Sequence, residues 1–303
     1  MSSSSASGID LANLYRHLIL AYNTSIQVYS AADSLLVRRI PITAADSSEQ
    51  KASAPAHIVA MRHSKQDSNI IWVACSDGHV FQVDWTSSKT PVSFQTRSRT
   101  ANALVVLTKK ISGKDQELVL VAESDKPGRI EVVAYPANVK AESEPKVVLA
   151  MKKSGNGLQL LEASDDGQVL VGGFNDRLFF GVPSQPQFDN LAALEYEIYT
   201  FDVPDLVTAL DLRVYPRPAT GGRKARQETA PVLDIIVGGA RGSIYLYRDA
   251  LARSQALAKS GSDKEPIQAQ NFHWHRRAVH AVKWSRDGMC LKSCSCTYHT
   301  DLQ

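Results

Sequence analysis

Five cations stand close together in this chain: Arg213, Arg217, Arg223, Lys224 and Arg226. Each can neutralise one phosphate, so on a flexible segment they would give RNA binding that depends on salt and ignores sequence. The stretch 216–227 is rich in Pro and Gly and has no aromatic side chain interleaved, so stacking on bases is not indicated. The same composition equally describes a loop kept in water by its charge. On the residues alone both readings stay open.

Other constellations are weaker. Cys290, Cys294, Cys296 and His299 form a C-x3-C-x-C-x2-H run, but zinc prefers paired knuckles separated by enough chain to wrap a tetrahedron. An unstructured tail is the expectation there. His273 and His275 flank Trp274, and residues two apart on a strand share a face, so this pair and His280 invite a metal reading. A structural hydrogen bond from His275 is the expectation, with no metal. Asp165 and Asp166 precede Gly167, a turn composition, whereas acid–base work needs carboxylates converging across a cleft. Gly113-Lys114 lacks the upstream Gly and the following Ser or Thr of a phosphate loop, and 155–157 lacks a third Gly. The expectation is a non-enzyme with no catalytic residue, no cofactor and no small-molecule substrate.

The elements that position these residues are five written-out hairpins, at 18–29, 71–83, 118–132, 169–180 and 235–247. Each is an apolar strand, a short polar or Gly turn, and an alternating strand. Short apolar strands precede four of them, at 58–61, 103–107, 158–161 and 207–212, and another at 279–284 opens a unit that is not completed. A β unit repeated about every 50 residues indicates a propeller. Only 250–259 looks helical, and it lies in a connection. The segments 43–55, 216–227 and 260–266 read as loops or insertions.

Composition sets the outer bounds. The 303 residues are 44% hydrophobic and 21% charged, ordinary for a globular protein with a sizeable core. A net charge of +3 is compatible with a nucleic-acid neighbour without demanding one. Three of the four Cys crowd the end of the chain, unlike a disulfide scaffold, which favours a reducing compartment. The Ser-rich start lacks the basic and apolar regions of a signal peptide, and no apolar run approaches a membrane span. A soluble intracellular protein with no membrane partner is expected.

The unit 272–288 resembles the opening of a WD40 repeat: His275 in the Gly-His slot with Trp274 where Gly is usual, then Val279, an alternating strand, and Ser285, Asp287 and Gly288 as the turn. Asp77 and Gly78 fill a corresponding hairpin turn. The closing Trp-Asp pair is degenerate in every unit. More specifically, His273-Trp274-His275 after a hairpin ending at 244–248, with the 26–29 hairpin and the 76–85 unit in the same order, is similar to one family. That family is the WD-repeat subunit of the t-UTP (UtpA) subcomplex of the small-subunit processome, the Nan-one/Utp-seventeen type of fungi.

The resemblance spans roughly 14–291 and implies an incomplete, divergent WD40-type β-propeller, all-β, with five recognisable blades and a broken one. It implies a disordered segment at 1–13, a propeller at 14–291 with a basic insertion at 216–230 and a linker at 250–270, and an irregular tail at 292–303. Family members continue into a second propeller, so a truncated end is expected. The implied role is a nucleolar, non-catalytic scaffold assembled with other WD-repeat subunits, near pre-rRNA and snoRNP, supporting rDNA transcription and early pre-18S rRNA processing. A generic WD40 adaptor of a ligase or trafficking complex is the alternative, and a propeller enzyme a more distant one.

Overall fold

The computed structural model describes residues 16–42, 56–111, 113–124, 128–137, 144–152, 158–164, 166–184, 190–217, 231–260, 267–285, 287–288 and 290–295. The chain forms two compact units, 1–150 and 151–303, each built of antiparallel sheets whose strands follow one another in chain order. The first unit opens on a three-stranded sheet: β1 (His17–Tyr22), β2 (Ser25–Ser30) and β3 (Leu36–Pro41). A four-stranded sheet follows, β4 (Ile58–His63), β5 (Ile70–Cys75), β6 (His79–Asp84) and β7 (Val92–Gln95). The third comprises β8 (Ala103–Ile111), β9 (Lys114–Glu123), β10 (Arg129–Pro136) and β11 (Lys146–Lys152).

The second unit repeats the plan. One sheet is β12 (Leu160–Ala163), β13 (Leu170–Phe174), β14 (Arg177–Pro183) and β15 (Tyr196–Asp202). The next is β16 (Val207–Tyr215), β17 (Val232–Gly239), β18 (Ser243–Tyr247) and β19 (Gln270–His273), and β20 (Val279–Trp284) pairs with β21 (Leu291–Ser295). The architecture is all-β, a series of antiparallel meander sheets of the kind a propeller is made from.

Local chemistry accounts for the hairpins. All five expected hairpins form, and each turns through a residue at positive φ: Asn23, Gly78, Gly128, Asn175 and Gly242. Asn tolerates this region and Gly enters it freely. At Gly242 a side chain is also excluded by space, because a Cβ would overlap the His275 carbonyl. A second regularity links the far strand to the turn. A residue one or two places past the last strand of a sheet donates its N–H to a turn carbonyl: Ile42 to Thr24 (2.8 Å), Thr96 to Gly78 (2.9 Å), Val203 to Asp176 (2.7 Å) and His275 to Gly242 (3.2 Å). Four sheets are therefore stitched the same way by unrelated side chains.

Alternation then builds the cores. Ile26, Val28 and Ile40 of the first sheet bury against Ile71, Val73 and Phe81 of the second. The other face of that second sheet carries Trp72 and Val80, which pack with Leu104, Val119 and Val133 of the third. In the second unit Val171, Leu178 and Phe180 meet Leu210, Ile235 and Tyr247. Ile236 and Ile244 on the opposite face of that sheet meet Val279 and Val282.

One expectation is corrected here. The chain beyond 291 is not irregular throughout: β21 pairs with β20, with Trp284 opposite Leu291 and Val282 opposite Ser293. Its inward positions are Leu291, Ser293 and Ser295, so the alternation exists in burial but is written largely in serine. The helix expected at 250–259 within the linker forms, as Ala250–Ser260, and its Ala250 and Leu251 are buried in the second unit's core. Residues 1–13, 43–55, 218–230 and 261–266 lie outside the described residues. Among the described residues no helix is long and apolar enough to cross a membrane.

Candidate functional site

Arg213 belongs to the body of a sheet, not to a loop, and this corrects its placement among the phosphate-binding cations. It lies on β16 opposite Asp234 of β17. Its Nε and Nη2 donate to Asp234 Oδ2 at 3.2 and 2.8 Å, and Nη1 donates to the Gly288 carbonyl. The guanidinium lies 4.1 Å from the ring centre of Trp284 and 4.8 Å from that of Tyr215. A cation paired, bonded and stacked in this way fastens the β20–β21 turn to the neighbouring sheet and has little left to offer a phosphate.

Asp234 is the centre of the arrangement. It is fully buried and accepts from Arg213, from Arg248 Nη1 at 3.2 Å, from the Tyr215 hydroxyl at 3.3 Å and from the Asp249 N–H at 3.0 Å. A buried carboxylate persists only with such partners. Asp249 in turn holds Arg217, with Nη1 to Oδ2 at 2.8 Å and Nη2 to Oδ1 at 2.9 Å. That hydrogen-bonded carboxylate, followed by its charge, keeps the Arg217 guanidinium above its usual range. Arg217 thus has its charge matched within the protein by Asp249. Arg223, Lys224 and Arg226 lie outside the described residues.

The histidines do not converge. His275 Nε2 lies 2.8 Å from Ser293 Oγ of β21, while His273 Nδ1 lies 3.1 Å from Ser243 Oγ of β18. His280 is exposed on β20. Cys290 and Cys294 are free and exposed, and Cys296 and His299 lie outside the described residues. Among the described residues no group of three or more His, Cys, Asp or Glu is arranged to hold a metal.

The remaining motif residues make turns. Ser164 accepts the Val169 N–H on Oγ at 2.9 Å and donates that hydroxyl to Asp166 Oδ1 at 2.6 Å. Ser285 does the same with Cys290 at 2.8 Å and Asp287 at 2.5 Å. In both, the Gly N–H (Gly167, Gly288) returns to the Ser carbonyl at 2.8 Å. The two turns are copies of one device, with Asp166 as a cap; Asp165 itself lies outside the described residues. Asp77 accepts the His79 N–H at 3.1 Å and its ring Nδ1 lies 2.9 Å from the second carboxylate oxygen, ahead of the strand that follows Gly78. Gly113 turns at positive φ between β8 and β9, a tight hairpin with no following helix to cradle a phosphate.

Sequence reasoning passed over the residues that do most of the joining. Lys283 reaches Asp211 at 3.0 Å and Glu162 at 3.4 Å, linking the first strands of three successive sheets of the second unit. In the first unit Glu117 accepts from Ser64 Oγ at 3.1 Å and Trp72 Nε1 at 3.3 Å. Glu123 accepts the Tyr135 hydroxyl at 2.5 Å and the Ser98 N–H at 3.0 Å, and burial, reinforced by that bond, pushes the phenol's pKa up. Burial, with the Asp77 charge second, also raises the Cys75 thiol to about 12, so it is an inert core group. A strand-interior carboxylate between apolar neighbours was the available signal for Asp234, whereas Glu117 beside Gln116 and Glu123 beside Ser124 carried none. Lys283 is thus matched by carboxylates, while Glu117 and Glu123 are held by neutral hydrogen-bond donors.

The fold defines a class: an all-β protein of repeated antiparallel meander sheets. Neither protein-family models nor curated proteins match this chain.

Proposed function

We propose that this chain is a non-catalytic scaffold of ribosome biogenesis: a WD40-type β-propeller of divergent repeats, working in the small-subunit processome of the nucleolus. In this reading it supports rDNA transcription and early pre-18S rRNA processing, beside other WD-repeat subunits, pre-rRNA and snoRNP. The repeated sheet carries the reading, with its hairpin turn and the stitch from just past the last strand. Repetition of this kind presents surfaces around a rigid frame, and polar groups committed to holding sheets together are those of a scaffold. The motif at 273–275 adds a specific point: His275 is anchored in the frame while Trp274 between the two histidines stands 58% exposed, free to meet a partner.

Purification of the tagged protein from growing cells, with mass spectrometry and RNA crosslinking, tests this. Enrichment of WD-repeat processome proteins and of the pre-rRNA 5′ leader is expected. Enrichment of ligase or trafficking subunits without pre-rRNA would replace the reading by that of a general WD40 adaptor.

A further inference from the structure

Asp249 is not a glycine, yet it stands at φ +50, in the left-handed region. Asn23 and Asn175 share that conformation because each makes a hairpin turn. Asp249 makes none. It links β18 to the helix Ala250–Ser260, and its carbonyl accepts the Arg253 N–H at 3.2 Å to open that helix. The residue ahead of a helix ordinarily takes an extended conformation. Here three bonds hold it otherwise. Its N–H donates to Asp234 Oδ1 at 3.0 Å, and its carboxylate oxygens accept from Arg217 Nη2 at 2.9 Å and Nη1 at 2.8 Å.

The two ends of this chain of contacts differ in access. Asp234 is wholly buried, whereas the side chains of Arg217 and Asp249 are 33% and 27% exposed. An ion pair in that position contributes on the same order as a left-handed aspartate costs. The clamp and the strain are therefore closely balanced, and without Arg217 the backbone of Asp249 can return to negative φ. Asp234 Oδ1 then loses the Asp249 N–H. A buried carboxylate oxygen must be satisfied, and the donors at hand are Arg213 and Arg248, already on Oδ2. Turning the carboxylate to share them draws Arg213 from the Gly288 carbonyl and the Trp284 ring.

We propose that Asp249 is a hinge held under strain by Arg217, and that its release loosens the last hairpin, β20–β21. The inference goes beyond the scaffold reading and does not depend on it. Arg217 lies two residues past the end of β16, so a group that takes its guanidinium acts on β20–β21 through Asp249, Asp234 and Arg213. The element with two states is one backbone torsion.

Hydrogen exchange of the purified full chain, followed by mass spectrometry of its peptides, tests it. Arg217→Met should speed exchange across 279–295 about fivefold, the scale set by loss of a half-exposed pair, and leave 169–182 as in the parent. Asp249→Gly removes the strain at positive φ and keeps the N–H on Asp234, so alone it should exchange as the parent does. Placed in the Arg217→Met background it should restore slow exchange. Arg177→Met, which breaks the exposed pair with Asp202, should leave 279–295 unchanged. Unaltered exchange in Arg217→Met overturns the proposal. So does acceleration that Asp249→Gly fails to reverse, for that would be loss of packing and not release of a hinge. Acceleration spread evenly over every peptide overturns it too.

Discussion

Arg213 and Asp234 face each other across β16 and β17, with Nη2 2.8 Å from Oδ2, and through this pair the last hairpin is tied to the sheet before it. The carboxylate is wholly buried and the guanidinium mostly so, which makes the two unequal in what their loss would do. Removing the arginine strands a buried charge; removing the acid releases two arginines toward water.

Arg213→Ala should destabilise the protein by about 3 kcal/mol, the scale for breaking a buried pair from one side. Arg213→Lys should recover little, because an ammonium cannot hold Asp234, the Gly288 carbonyl and the Trp284 ring together. Denaturant melts of the three proteins measure this. A loss below 0.5 kcal/mol for Arg213→Ala would return Arg213 to the role of a surface cation.

Gly242 stands at φ +87 with the His275 carbonyl where a Cβ would go. Gly242→Ala should therefore cost about 2 kcal/mol or more, from the left-handed backbone and the overlap together. Asn23→Gly at the matching turn, with only positive φ to satisfy, should be close to neutral or mildly stabilising. Equal melting temperatures for Gly242→Ala and the parent would show that the turn does not form as described.

Burial, aided by the Asp77 charge, holds the Cys75 thiol near 12. In the native protein at pH 8 it should resist alkylation while the exposed Cys290 and Cys294 are modified, as peptide mass mapping would record. The folded thiol stays protonated where an unfolded one, with a pKa of ~8.5, ionises, so its contribution is intact below that pH. It is lost progressively as pH rises from there toward 12. Cys75→Ala should flatten this alkaline decline; an unchanged slope would contradict the assignment.

The scaffold reading makes a prediction about the cations beyond 217. Replacing Arg223, Lys224 and Arg226 with Ser should lower RNA crosslinking and flatten the salt dependence of binding, by a slope of roughly 0.7 per lost contact on single-stranded RNA. Arg217→Ser should behave differently, because it leaves Asp249 without its partner and acts on the frame. Crosslinking and salt slope that survive the threefold change would make the insertion a solvated loop.

What could be read from sequence here was local. Strands at 71–83 or 235–247 declare themselves because alternation, β-branched residues and an Asn or Gly at the turn act over a few neighbours along the chain. Asp166 and Asp287 were legible as turn residues for the same reason, since each is capped by a serine two positions away. β21 was illegible because its inward residue Ser293 is polar and earns its place by meeting His275, 18 residues earlier. The exposure of Leu18 and Leu20 on β1 was invisible as well, since in sequence they look like any core strand.

Tertiary structure decided the fate of the charges. Arg213 reads as the first cation of a basic insertion until β17 returns and sets Asp234, 21 residues later, against it. Gly288 then arrives from 75 residues away to accept from its Nη1. The physical reason is one of range. Backbone conformation is set by torsions and side chains within a turn or two of chain, whereas pairing, desolvation and stacking depend on which groups become neighbours in space. The sequence by itself therefore determined the repeated strands and turns of this protein, and only the packing of its sheets determined which charged residues remain available to another molecule.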